Sequence, residues 1–264
     1  MSIHTSTALR AAWQPAPRVA PAKPRLIVAG ATGVLGNEVL RRLAGSSRFA
    51  QTRVLAKEPM MTSVAQVTIL EVGEELQAWQ PMLDGHGADV GVVMFEPPRL
   101  YYQRERALWT PAPAQLLALA QWLKRCGVHT LVVVVPHAQG RLPDAVKCGL
   151  ANLDEQALAA LGFERLLLVR SAQKTAPPAA KGLLDKVAAW MLSTLSYMIP
   201  VTEQPVRASK LAEFIDVAIH QLPAGTHVAS PELLWRSAAS LSTPQVVQAW
   251  LNSSNSIAQP HPTV

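Results

Sequence analysis

Three glycines at a spacing of three, Gly30, Gly33 and Gly36, stand in the run GATGVLG, which opens on the last residue of the apolar stretch LIVAG at 26–30. Between a strand and a helix this spacing has a chemical use. The first glycine lets the chain turn tightly. The second lets backbone approach a diphosphate with no Cβ in the way, and the third lets the helix lie close to the strand. The turn residues Gly30, Ala31, Thr32, Gly33, Val34, Leu35 and Gly36 then offer phosphate oxygens the free N–H groups and positive dipole end of a helix N-terminus. A glycine triplet alone is a weak signal. Here it follows the first strand of an alternating series and opens a helical stripe of Val34, Leu35, Val39, Leu40 and Leu43. The turn is expected to cradle a dinucleotide. The competing reading is a glycine turn that only links strand to helix.

The end of the second strand speaks to which dinucleotide. An acid there bonds the ribose hydroxyls of NAD. This chain has Leu55-Ala56-Lys57-Glu58, so the acid comes one place late and a lysine precedes it. Lys57 suits a 2′-phosphate, with Arg53 as a second partner, and the expected cofactor is NADP, with NAD as the alternative. Glu71, ending the third strand, stands where an acid meets an adenine amine. It reads equally well as a surface carboxylate.

The elements that must position these residues alternate. Strands are read at 26–30, 52–57, 66–71, 89–95, 129–135 and 164–170, and helices at about 34–43, 112–125 and 150–161. The strands are apolar throughout instead of alternating, the pattern of a parallel sheet covered on both faces. Right-handed crossovers then give an α/β fold with a doubly wound parallel sheet. Amphipathic helices at 181–198 and 208–222 are expected to form a small C-terminal region on the substrate side of the sheet. Residues 1–24 read as a mobile Ala/Pro-rich basic arm, 25–251 as a single domain with 171–236 its C-terminal part, and 252–264 as a loose tail.

Bulk composition narrows the function classes. The net charge of +6 is spread along the chain, with no Lys/Arg block of the kind that marks a nucleic-acid tail. Nucleic-acid binding is therefore not expected. The two cysteines, Cys126 and Cys148, form no metal-ligand pair and read as free thiols of a reducing compartment. No apolar run reaches the length of a membrane span, no signal-peptide core is present, and no metal site is legible. A cytoplasmic location is expected.

The run LIVAGATGVLGNEVL resembles the opening of the atypical and extended short-chain dehydrogenases/reductases, a group of NAD(P)H-binding Rossmann proteins. LDEQALAALGFERLLLVRSA and PVRASKLAEFIDVAIHQLPAGTHVAS resemble later segments of that family. The resemblance implies a Ser after the fifth strand and a Tyr-x-x-x-Lys in the next helix, which together move a proton at a carbonyl or alcohol. This chain departs from the pattern. After the fifth strand comes Pro136-His137-Ala138-Gln139-Gly140, and no Tyr stands between Tyr102 and Tyr197. Arg170-Ser171 replaces the family's Arg-Pro. Phe95-Glu96-Pro97-Pro98 stands where a small or glycine-rich loop is usual, and Glu96 would be unfavourable close to a polyanion.

His137 could relay a proton in place of the missing residues, or simply face water. Lys147 could hold the nicotinamide ribose, or be a surface lysine. Tyr101 and Tyr102 suit a packed loop better than a substrate wall. Trp190 and Met191 suit core packing or a dimer face, so a homodimer is among the assemblies the sequence allows. Three readings follow. The first is an NADPH-preferring oxidoreductase acting on a small carbonyl with non-standard catalytic residues. The second is an inactive dinucleotide-binding protein with a redox-sensing or partner-binding role, and the third is a Rossmann shell that carries no nucleotide.

Overall fold

The computed structural model describes residues 22–62, 64, 66–82, 87–135, 154–170 and 206–257. Most of the expected N-terminal arm (residues 1–21), the segment with His137 and Lys147, and the helix expected at 181–198 with Trp190 and Met191 lie outside the described residues.

Seven strands are described: β1 (Arg25–Ala29), β2 (Gln51–Ala56), β3 (Val67–Glu71), β4 (Val90–Met94), β5 (Thr130–Val135), β6 (Arg165–Arg170) and β7 (Gly225–Ala229). They form one sheet in the order β3-β2-β1-β4-β5-β6-β7, every pair parallel. The order reverses between β1 and β4, so a topological switch point lies at the carboxyl ends of those two strands. This is the doubly wound Rossmann arrangement that the strand–helix alternation predicts.

Each strand feeds two cores because its side chains alternate between faces. Leu26 and Val28 join Val54, Val92, Val132 and Leu167 on one face. Ile27 and Ala29 join Leu55, Val93, Val133 and Leu168 on the other. The first face is covered by α1 (Gly33–Gly45) and α5 (Ala208–Gln221), with α6 (Pro231–Ala239) and α7 (Thr243–Ile257) packed alongside. The second is covered by α3 (Leu116–Arg125) and by Leu158 of α4 (Glu155–Ala160). Trp79 packs edge-on against both Trp109 and Trp122 on that side, with centroid distances of 4.8 and 5.2 Å. A short helix, α2 (Gln103–Ala107), interrupts the long connection from β4 to α3.

Three features differ from the sequence expectation. The 208–222 helix does not cap the substrate side. Its stripe of Leu211, Phe214, Ile215 and Ala218 is buried in the core beside α1. Its buried Asp216 accepts from Arg42 Nε of α1 at 3.1 Å. The seventh strand was not expected, because Gly225–Ala229 is an edge strand with only Ala229 fully buried and has no apolar run to announce it. The helix α7, anchored by Val247 and Leu251 in the core, continues to Ile257, past residue 252 where a loose tail was expected to begin.

Candidate dinucleotide cradle

The glycine turn follows β1 at the switch point, and α1 begins at Gly33. Gly30 has φ +74°, and a Cβ there would lie 2.0 Å from the Met94 carbonyl oxygen, so only glycine fits. A Cβ on Gly36 would lie 2.7 Å from the Gly30 carbonyl oxygen, which is the close helix–strand approach expected of the third glycine.

The head of a helix leaves N–H groups without intrahelical partners. Thr32, the residue before α1, does not cap them with its side chain. Its Oγ1 instead donates to the Glu96 carbonyl and lies 3.0 Å from Thr110 Oγ1. Two carboxylates from the β4–α3 connection take the helix-head donors. Gly33 N–H donates to Glu105 Oε2 at 3.0 Å, and Leu35 N–H donates to Glu96 Oε2 at 2.7 Å. Both oxygens sit at the positive end of the α1 dipole, where negative charge is stabilised.

Glu105 is firmly built in. It is buried, and its Oε1 accepts from Asn37 Nδ2 at 2.7 Å and from Arg99 Nε at 2.7 Å. The Arg99 backbone N–H donates to Oε2 at 2.9 Å, and the guanidinium lies 3.7 Å from the Tyr102 ring centroid. Burial alone would raise the carboxyl's pKa. The hydrogen bonds from Arg99 and Gly33 and the Arg99 charge outweigh it and hold Glu105 below the usual carboxylate range.

The same connection straps the sheet edge. Lys57 N–H donates to the Ala107 carbonyl at 2.7 Å and Trp109 N–H to the Leu55 carbonyl at 2.9 Å. Gly30 N–H donates to the Trp109 carbonyl at 3.1 Å, and Ala56 and Leu108 form an antiparallel bridge. Residues 107–109 therefore cross the carboxyl ends of β1 and β2.

In this arrangement the cradle does not fit a pyrophosphate. Gly33 has φ +71°, and the space its missing Cβ leaves is filled by Glu96, whose Cδ would lie 2.2 Å from that Cβ. The open face that the second glycine should keep for a phosphate holds the chain's own carboxylate. The sequence flags Glu96 by its charge alone. Glu105, Arg99, Asn37 and Thr110 were not anticipated, and no local pattern marks them, because their contacts span from six to 78 residues.

The other expected site residues are placed as follows. Ala31 is buried, and the Val34 side chain is half exposed at the helix head. Lys57, just beyond β2, and Glu71, the last residue of β3, are both exposed at one edge of the sheet, where Ala56 and Glu71 pair in register. Arg53 is directed away from the cradle. It donates to Gln51 Oε1 at 2.8 Å and to the Gly87 carbonyl at 3.5 Å, at the amino end of the sheet. Tyr101 is almost fully exposed instead of packed in the loop. Among the described residues no three His, Cys, Asp or Glu side chains gather to hold a metal, and no helix is long and apolar enough to cross a membrane.

No protein-family model and no curated protein matches this chain. Solved structures of similar layout exist at low identity. The Bordetella bronchiseptica enzyme WbmG, solved in complex with NAD, is 15% identical over 95% of this chain and 84% of its own, with a TM-score of 0.41. Uronate dehydrogenase from Agrobacterium tumefaciens is 15% identical over 91% of each chain, with a TM-score of 0.42. A Rossmann-fold NAD(P)-binding family protein from Shigella flexneri is 16% identical over 75% of this chain and 87% of its own, with a TM-score of 0.42.

Proposed function

We propose that the protein is a nicotinamide-dinucleotide-binding Rossmann protein of the short-chain dehydrogenase/reductase type, with NADPH its preferred ligand. The observation that carries this reading is the anion seat at the head of α1. It lies at the switch point of the sheet, Gly30 and Gly36 have the close approaches such a turn requires, and its N–H donors already hold carboxylate oxygens. A seat that binds carboxylates by hydrogen bonds and dipole suits phosphate oxygens for the same reason. The exposed Lys57 supports NADPH over NADH, because a 2′-phosphate at the end of β2 would meet a cation there.

Hydride transfer to a small carbonyl would need a proton donor other than the family's Ser and Tyr, neither of which this chain has at the matching positions. Binding of the nucleotide is therefore the core of the reading, and reductase turnover is its extension through His137 and Lys147. A second reading, a Rossmann shell that carries no nucleotide, is favoured by one observation: Glu96 and the 107–109 strap already satisfy the groups a nucleotide would use.

Titration of the purified protein with NADPH and NADH, followed by nicotinamide fluorescence, separates the readings. Saturable NADPH binding, tighter than NADH, supports the first. No binding of either up to millimolar levels supports the shell. A screen of small carbonyl substrates with the bound nucleotide, repeated with His137→Ala, then tests turnover.

A further inference from the structure

The two carboxylates on the helix head differ in how they are held. Glu105 is buried, with Arg99, Asn37 and Gly33 all donating to it. Glu96 is only partly buried. Among the described residues its carboxylate has a single hydrogen-bond donor, the Leu35 N–H. Its backbone is fixed separately, by Thr32 Oγ1 on its carbonyl. The Glu96 side chain can therefore rotate out of the cradle about its own χ angles while the strap stays in place. Glu105 cannot leave without abandoning a buried ion pair.

We propose that the Glu96 carboxylate is an internal stand-in for a phosphate group, a tethered competitor that a diphosphate-bearing ligand must displace from the Leu35 N–H. Its position argues for this directly. It lies where the absent Gly33 Cβ leaves room, and it uses a helix-head donor that a pyrophosphate would need. A competitor on the same chain acts at high effective concentration. It lowers the fraction of molecules with an open seat and weakens apparent affinity by that fraction. The device also selects for ligand class: a diphosphate, whose two phosphates together carry more negative charge than one carboxylate, can displace it, whereas a neutral ligand has no such advantage. The inference rests on the nucleotide-binding reading above.

The test compares wild type, Glu96→Ala and Glu96→Gln, each checked for folding by circular dichroism and thermal melting. NADPH binding is followed by fluorescence, and inorganic pyrophosphate binding by calorimetry. Pyrophosphate reports on the helix head alone, free of any effect of the 107–109 strap on the adenosine side. A charge-assisted hydrogen bond lost from the competing state corresponds to about a ten- to hundredfold gain in affinity. Glu96→Ala should show that gain for both probes. Glu96→Gln, which keeps an oxygen acceptor and loses the charge, should fall between it and wild type. Equal NADPH affinity in wild type and Glu96→Ala would overturn the competitor and leave the nucleotide-binding reading standing. Absence of binding to all three proteins, for both probes, would overturn both.

Discussion

Arg99 forks around Glu105: its Nε donates to Oε1 at 2.7 Å and its backbone N–H to Oε2 at 2.9 Å, and the carboxylate they hold is buried under the head of α1. Glu105 in turn accepts the Gly33 N–H, so this pair fixes the helix head to the β4–α3 connection. Breaking a buried pair from one side costs about 3–5 kcal/mol. Arg99 is more than a third exposed, so solvent screening brings the expected cost of Arg99→Ala to about 2 kcal/mol. Urea unfolding at neutral pH measures it, and a change within about 0.5 kcal/mol would contradict the role given to the pair.

The same pair sets a pH dependence. Glu105 has a lowered pKa in the folded protein. Its contribution to stability is therefore complete at neutral pH and is lost as pH falls through and below the ordinary carboxylate range, about 4. Glu105→Gln cannot titrate, so its stability should fall less steeply between about pH 5 and pH 3 than that of wild type. Parallel acid limbs for the two proteins would mean that Glu105 has an unshifted pKa.

Two of the three glycines, Gly33 and Gly30, should differ in what rescues them. Gly33→Ala places a Cβ against the Glu96 side chain, and Gly30→Ala places one against the Met94 backbone carbonyl. Adding Glu96→Ala removes the first clash and leaves only the left-handed backbone strain, about 1–2 kcal/mol. The Gly33→Ala/Glu96→Ala cycle should show a favourable coupling of about 1 kcal/mol or more. The Gly30→Ala/Glu96→Ala cycle should show none. Additive effects in the Gly33 cycle would mean that Glu96 does not lie over that glycine.

Lys57 is exposed at the end of β2. If it meets a 2′-phosphate, Lys57→Ala should weaken NADPH binding about fivefold, as expected for one partly solvated charge-assisted contact, and leave NADH unchanged. Equal losses for the two nucleotides would place the lysine elsewhere.

Cys126 is buried, and burial pushes its thiol pKa up. The thiolate is the reactive form. In a Cys148→Ser background the native protein should label with a thiol reagent only as fast as it unfolds. Rapid labelling at pH 8 would show that the α3 end of the second core is open to solvent.

The first six strands and the glycine turn were legible because each rests on local pattern. Runs such as LIVA, VGVVM and TLVVVV are buried on both faces, and a continuous aliphatic stretch can lie nowhere else in this fold. β7 carries no such signal because an edge strand needs no apolar run; Gly225, Thr226 and Val228 are all exposed. The position of the 208–222 helix depended on which face had room for Phe214 and Ile215, which no local pattern encodes. The cradle divides in the same way. Its glycines are a spacing motif, and Glu96 could be suspected from its charge. That Glu96 and Glu105 sit on the helix head follows from the path of the β4–α3 connection back over β1 and β2, which only the folded chain reveals.

In the proposed competition one seat, the Leu35 N–H, is shared by Glu96 and by a nucleotide phosphate. The amide cross-peak of Leu35 in a proton–nitrogen correlation spectrum reports on it directly. In wild type a carboxylate acceptor at 2.7 Å should hold the amide proton downfield. Glu96→Ala should move the peak upfield, and NADPH should bring wild type and variant to one common position while the Gly33 peak, held by Glu105, stays still. A Leu35 peak indifferent to both the substitution and NADPH would contradict the account.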